Sequence, residues 1–336
     1  MAGATTPALY PLTPAWQTAA KRVYDAAFAG AALPYGSRLP DHFLANRLFD
    51  SCLWSTDCSR ILVTPEWKGV GLVIANRRAN PASVASDWLC LQLLCVAPDW
   101  QRQGWGRMLL NGLLATAASE GKQGVITSLQ WAGIWPGIPT SLTAMRAFGD
   151  QTGADWRPGE IYLEKNLLEP WPVACPGRLA PPDDGITPVA YVNRHYAGLR
   201  SLLWDHFSIG WQCETLSRLD SIYEPFNGYG LATTSESTYP GRGIWILERE
   251  GQVIGFCVVH AGPDSPTAFF GPIGLLPEWR GRGLGTRLLL LAATQAQDWG
   301  RHSLGLWTSA PLAEGFYRPL GFVPVAQTRH AAWRVG

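Results

Sequence analysis

The stretch Val96-Ala-Pro-Asp-Trp-Gln-Arg-Gln-Gly-Trp-Gly-Arg-Met-Leu-Leu110 recurs as Leu275-Leu-Pro-Glu-Trp-Arg-Gly-Arg-Gly-Leu-Gly-Thr-Arg-Leu-Leu289. Pro98 and Pro277, Trp100 and Trp279, Gly104 and Gly283, Gly106 and Gly285, and Leu109 and Leu288 all stand 179 residues apart, and Gly121 and Gly300 keep that offset. A constant offset over this many identities marks a duplicated unit. The chain therefore reads as two related domains, 1–168 and 186–336. Between them Glu169–Gly185 carries Pro170, Pro172, Pro176, Pro181 and Pro182 without periodicity, the composition of a stiff connector.

Outward from the motif the two halves read alike. Residues 14–29 and 188–207 show helical amphipathicity, the first opened by Thr13 as a cap and Pro14 in the first turn. Two strands follow in each half, Arg60–Pro65 and Gly69–Asn76, then Gly243–Glu248 and Gln252–His260. Trp88–Val96 and Ala268–Leu276 are apolar enough for strands buried on both faces. Each runs into the glycine motif and a helix, 105–120 or 284–299, and then a further strand, Gly124–Gln130 or Ser303–Thr308. Alternating strands and helices predict α/β domains with a mixed central sheet.

The loop Arg280-Gly-Arg-Gly-Leu-Gly-Thr lies between a strand and a helix. Glycines allow the tight turn, and the first helical turn offers unpaired N–H groups at the positive end of the macrodipole. Together they predict a pyrophosphate cradle, with Arg280, Arg282 and Arg287 adding charge. A dinucleotide fingerprint needs a third glycine where Leu109 and Leu288 stand, and a P-loop needs Gly-Lys-Ser/Thr, which is absent.

What fits is Gln/Arg-x-x-Gly-x-Gly, met by Gln101–Gly106 and Arg280–Gly285. This resembles the GNAT superfamily of acyl-CoA-dependent N-acetyltransferases. Ala313-Glu-Gly-Phe-Tyr317-Arg-Pro-Leu-Gly321-Phe322 is similar to that family's second signature, with Ala310 where an asparagine is frequent. The first half has Ala144-Met-Arg-Ala-Phe148 with Gly153, placing a phenylalanine where the tyrosine belongs. The resemblance implies two tandem GNAT-like domains, each a mixed, mostly antiparallel sheet flanked by helices.

It also implies that acetyl-CoA is the co-substrate, held by Gln101, Gln103, Gly104, Gly106 and Arg107 in the first half. In the second half the implied residues are Arg280, Arg282, Gly283, Leu284, Gly285 and Thr286. Oxyanion donors fall on main-chain N–H groups near Val96 and Leu275, and Tyr317 is the proton donor to the departing thiolate. Only the second half then has a catalytic tyrosine, so the first is expected to be degenerate.

An alkyl amine of pKa about 10.4 is neutral only about once in 2,500 at pH 7, which costs roughly 4.6 kcal/mol, so a base or desolvating pocket is required. Neither fourth strand carries an acid. Glu248, Glu250, Asp264, His206, His260 and a water chain all stand as candidates. Trp131, Trp135, Trp204 and Trp211 fall where an aromatic acceptor cleft is expected.

The expected acceptor is a small-molecule or peptide amine. A non-catalytic acyl-CoA sensor and a double-domain acetyltransferase of the mycothiol synthase kind are the alternatives. With 27 basic and 26 acidic residues, the net charge of +1 argues against a nucleic-acid partner. Seven cysteines without Cys-x-x-Cys spacing read as buried thiols of a cytoplasmic protein. Six scattered histidines predict no metal, and no apolar run approaches a membrane span. The duplication is compatible with a monomer acting as a pseudo-dimer, or with a homodimer. Few lysines among many Gly, Pro and Trp residues suit a GC-rich bacterial genome.

Overall fold

In a computed structural model describing residues 6–31, 56–77, 87–127, 136–172, 185–207, 211–212, 215, 242–261 and 265–336, the first half begins with β1 (Ala8–Pro11), α1 (Gln17–Ala27), β2 (Arg60–Val63), β3 (Gly69–Asn76) and β4 (Trp88–Val96). These four strands pair antiparallel in chain order. Then come α2 (Trp105–Ser119), β5 (Gly124–Thr127) parallel to β4, β6 (Ile138–Pro139), α3 (Thr143–Gln151) and β7 (Asp155–Asn166).

Side-chain alternation along a strand sorts the core onto two faces. Ile61, Val63, Leu93 and Cys95 pack with Ala20, Val23 and Tyr24 of α1, while Leu62, Leu89, Leu91 and Leu94 pack with Leu109, Leu110 and Leu113 of α2. Each fully buried leucine is worth roughly 1.5–3 kcal/mol. On β4 the α2-facing residues switch from odd numbers (89, 91) to even ones (94, 96). The switch falls at Gln92, an extra residue with no counterpart between Ile74 and Ala75 on β3.

The second half repeats the plan with β8 (Ile186–Ala190), α4 (Tyr196–His206), β9 (Arg242–Arg249), β10 (Gln252–Ala261), β11 (Thr267–Leu275), α5 (Leu284–Asp298), β12 (Ser303–Thr308) and β13 (Val323–Arg334). β8 to β11 are antiparallel in order, and β12 lies parallel to β11. This is the tandem α/β architecture, with two mixed, mostly antiparallel sheets.

The compact units exchange their last strands. Of the described residues, one unit takes 6–160 with 326–336, and the other takes 161–325. β7 pairs antiparallel with β12, from Ile161 opposite Thr308 to Asn166 opposite Ser303. β13 pairs with β5, Ala332 facing Ile126, and buries Ala331 and Trp333 in the first unit's core. Trp333 Nε1 donates to Thr152 Oγ1 at 2.9 Å, and Thr328 Oγ1 donates to the Pro136 carbonyl at 2.6 Å. Either fifth strand would otherwise present an unpaired edge. The sequence boundaries at 168 and 186 thus divide repeats, whereas the compact units are divided by strand pairing.

Other expectations need correction. Residues 186–190 form an edge strand, so the second half's first helix is confined to Tyr196–His206; Pro188 is tolerated because an edge needs no donor on its outer side. The strand β1 likewise precedes the first helix, and Thr13 makes no side-chain cap bond. β4 is buried on both faces, but β11 alternates buried and half-exposed, with Phe269, Gly271, Ile273 and Leu275 on the open face. Cys58, Cys90, Cys95 and Cys257 are buried, while Cys52, Cys175 and Cys213 lie outside the described residues. So does most of the proline-rich connector, although Trp171 packs against Phe322. Among the described residues no helix is long and apolar enough to cross a membrane.

Candidate functional site

β4 and β5 pair from Trp88 opposite Gly124 to Leu91 opposite Thr127, the last described residue of β5. β11 and β12 pair only from Thr267–Ser303 to Phe269–Gly305, and β11 continues to Leu275. β11 parts from β12 at a bulge, Gly271-Pro272 opposite Val258, and β4 carries a bulge at Gln92. Gln92 and Gly271 stand 179 residues apart, so the bulge belongs to the duplicated design. A parting strand leaves main-chain groups facing a slot, available to a ligand.

Each fourth strand leads to a glycine loop. Gly104 (φ 88°) and Gly283 (φ 79°) cap α2 and α5 in the left-handed region, which glycine adopts without a Cβ penalty. The first intrahelical bonds run from Met108 N–H to the Gly104 carbonyl and from Arg287 N–H to the Gly283 carbonyl. Among the described residues no acceptor meets the main-chain N–H groups of 281–285. An oriented, unpaired set of this kind at a helix start binds anions.

The side chains expected at the loops divide into two roles. Gln101 Nε2 donates to the Val96 carbonyl at 2.8 Å, and Arg280 Nε to the Leu275 carbonyl at 3.2 Å, so both brace their loop to the end of the fourth strand. Gln103 donates to the Asp99 carbonyl, and Arg107 to the Gln151 carbonyl at 3.2 Å. Arg282 stacks over Trp279 at 4.7 Å, sharing that ring with Arg249 at 5.1 Å. Arg287 is a correction. Its guanidinium is buried and donates to the Ile186 carbonyl at 3.2 Å, tying α5 to β8, because the second residue past the loop already points into the core. Thr286 is buried too.

Tyr317 ends a short helical stretch, Ala313–Tyr317, and is 5% exposed. Its ring stands edge-on to Phe316 (4.8 Å) and Phe322 (5.6 Å). Desolvation, reinforced by nearby Cys257, pushes its phenol well above the ordinary value, so it stays protonated. Phe316 packs over Gly285, and in the first unit Phe148 packs over Gly106. Phe148 and Phe316 stand 168 residues apart, as do Gly153 (φ 77°) and Gly321 (φ 87°). The position of Tyr317 therefore corresponds to Gly149, not Phe148. A side chain at Gly149 would collide with the indole of Trp156, which covers it. An ungapped comparison of Phe148-Gly149 with Phe316-Tyr317 would have shown this in the sequence.

The candidate bases separate as well. Glu248 is bound by Arg194 (2.9 Å) and His195 (3.2 Å), and Arg194 above all holds its carboxyl below the usual range, so it is a poor base. Glu250 and His206 are exposed. His260 is buried on β10 opposite Phe269, 5.2 Å between ring centres, and Asp264 lies outside the described residues.

Of the four tryptophans expected in the cleft, Trp131 and Trp135 are outside the described residues. Trp204 is 60% exposed beneath Arg200. Trp211 stacks on Phe207 (5.1 Å, 8°), and Phe207 covers Gly274 of β11. Phe207 was not singled out from the sequence; an aromatic directly after the first helix of the unit was the available signal. Among the described residues no group of His, Cys, Asp or Glu could hold a metal ion.

Each unit thus carries a glycine loop at a helix start directly after a bulged fourth strand. Residues 34–132 and 196–322 match the family model for acetyltransferases of the GNAT family. The chain belongs to that family, with both halves matching. An uncharacterised N-acetyltransferase of Escherichia coli (strain K12) is 36% identical over 108 residues, covering 31% of this chain and 58% of that relative's length.

The chain also resembles a solved glucosamine N-acetyltransferase region of a fungal multi-domain β-N-acetylglucosaminidase (TM-score 0.74, 16% identity, 99% of this chain, 38% of that one). A tandem GNAT protein from the clavulanic acid biosynthesis pathway is similar over 98% of this chain and 99% of its own (TM-score 0.68, 16% identity). At these identities the structures speak for the fold alone.

Proposed function

We propose that the protein transfers an acetyl group from acetyl-CoA to a primary amine, with the chemistry in the second unit. The observation that carries this reading is the asymmetry at one position: Tyr317, held between Phe316 and Phe322 in the unit whose fourth strand is half-exposed, against Gly149 covered by Trp156. The loop at 281–285 grips the coenzyme pyrophosphate, the acyl arm lies along the free edge of β11, and main-chain N–H groups near Leu275 receive the developing oxyanion. Tyr317 faces the departing sulfur. Phe207 and Trp211 wall the acceptor side, which favours an amine with an apolar or cationic flank. The first loop has the same cradle and holds coenzyme A without catalysis.

The test is release of free thiol from acetyl-CoA across a panel of amines, for wild type and for Tyr317→Phe. Amine-dependent release that falls in the variant supports the reading. Saturable acetyl-CoA binding with no release for any amine would make the protein a sensor instead.

A further inference from the structure

Trp279, which leads into the second glycine loop, carries two guanidiniums, Arg282 at 4.7 Å and Arg249 at 5.1 Å from its ring. Arg282 belongs to the loop itself, whereas Arg249 ends β9 and reaches the same ring from a separate hairpin. Stacking on an indole occupies the faces of a guanidinium and fixes its N–H edges in one plane, the fork that suits a phosphate. Two like charges on one ring also repel each other. Among the described residues the one ion pair either makes is a 3.8 Å contact of Arg249 with exposed Glu250, which water screens. The pair therefore stands as two oriented, uncompensated cations beside the unpartnered N–H groups of 281–285.

The first unit lacks the pair. Gly71 joins Leu62 to Val96 as Gly255 joins Leu247 to Leu275, which puts Thr64 at the place of Arg249. Gln103 stands at the place of Arg282, 179 residues earlier.

We propose that Arg249 and Arg282, arranged on Trp279, hold the ribose 3′-phosphate of the donor, so that the second unit selects coenzyme A over its 3′-dephospho form. This rests on the reading that the loop at 281–285 grips the coenzyme pyrophosphate. In coenzyme A the pyrophosphate and the 3′-phosphate hang on one ribose. A ligand seated on the loop thus brings a dianion within one sugar's width of Arg282. That dianion offsets the repulsion between the two guanidiniums and accepts from both forks.

Calorimetric titration of the full chain with coenzyme A and with 3′-dephospho-coenzyme A tests this, using wild type, Arg249→Gln, Arg282→Gln and the double variant. In wild type the dephospho form should bind about a hundredfold more weakly at one site. Each single variant should weaken coenzyme A there about tenfold and leave the dephospho form within twofold. The double variant should bind the two forms alike. Equal affinity for both forms in wild type, or variants that weaken both forms alike or change neither, would overturn the proposal while leaving the loop a coenzyme site. Binding of neither form by any of the four proteins would overturn both.

Discussion

Replacing Tyr317 by Phe removes one hydroxyl from a site that is 5% exposed. The contacts of Tyr317 with described residues are ring contacts with Phe316 and Phe322, which phenylalanine preserves. Stability should therefore stay within about 0.5 kcal/mol of wild type. The catalytic effect follows from acidity. An ordinary phenol (pKa about 10) is already some 1.5 units weaker as an acid than an alkyl thiol (about 8.5), so full proton transfer to the thiolate runs uphill by roughly 2 kcal/mol. Burial raises the Tyr317 phenol further and makes that transfer worse. Its contribution is then a hydrogen bond to the developing anionic sulfur, about 1.5–3 kcal/mol. That predicts a fall in kcat of about 10- to 150-fold, with KM for acetyl-CoA little changed. Because the folded phenol titrates above its ordinary value, wild type and variant should share the same pH–rate profile up to about pH 10. Thiol release followed from pH 6 to 10 gives these quantities. A kcat within twofold of wild type would remove Tyr317 from the chemistry. A loss beyond a thousandfold, with an alkaline limb present only in wild type, would show that it transfers its proton after all.

Three further outcomes are expected. Arg287→Met should cost about 1–3 kcal/mol of stability by removing a buried hydrogen bond from a charged donor to the Ile186 carbonyl, and leave acetyl-CoA affinity within twofold; the reverse pattern would place that guanidinium on the phosphates. Trp333→Ala should destabilise the first unit by about 3–5 kcal/mol although it lies near the chain's end, measurable as a lowered urea midpoint; an unchanged midpoint would refute the strand exchange. Stability should fall on the alkaline side. Burial holds Tyr24, Tyr317, Cys95 and Cys257 protonated, their folded pKa values raised, so their contribution is complete below the unfolded values of about 8.5 and 10 and is lost as pH rises through that range and beyond. The slope is up to about 1.4 kcal/mol per pH unit per group, and a melting temperature flat from pH 8 to 10.5 would contradict it.

The sequence discloses those parts of the molecule whose chemistry is local. A loop that must turn through positive φ beside a helix start can use few residue types, so the glycine motif and its repeat are legible at once. Trp88–Val96, Gly69–Asn76 and Ser303–Thr308 are recovered to the residue because apolar strands in a sheet centre have sharp polar ends. The edge strands β1 and β8, four and five residues long and each carrying a proline, have no such contrast. The strand exchange is invisible for a different reason: Ile161–Asn166 and Ala326–Arg334 have the right alternation for either sheet, and only packing chooses. Arg287 misleads because a basic residue beside a phosphate loop is a natural ligand on paper, while the helical turn sends it inward.

Duplication supplies an internal control on what acyl transfer requires. Both units keep the left-handed cap, the bulge and an aromatic over the second glycine. They differ where the acyl group and its leaving sulfur would sit. The second unit has Gly271 beside open space, a half-exposed strand and Tyr317. The first has a buried Gln92 at the bulge, a strand buried on both faces, and Gly149 beneath Trp156. The first loop also holds Arg102 at φ 61°, where the second uses Gly281 at φ 75°, a conformation that disfavours a side chain. On the proposed function, the retained features would hold a phosphate-bearing arm, and the differences would close the place where an acetyl group reacts. Restoring tyrosine alone, as Gly149→Tyr, should therefore yield no activity in a Tyr317→Phe background, because Trp156 still occupies the space. Recovered thiol release from that double variant would mean that this packing does not separate the two units.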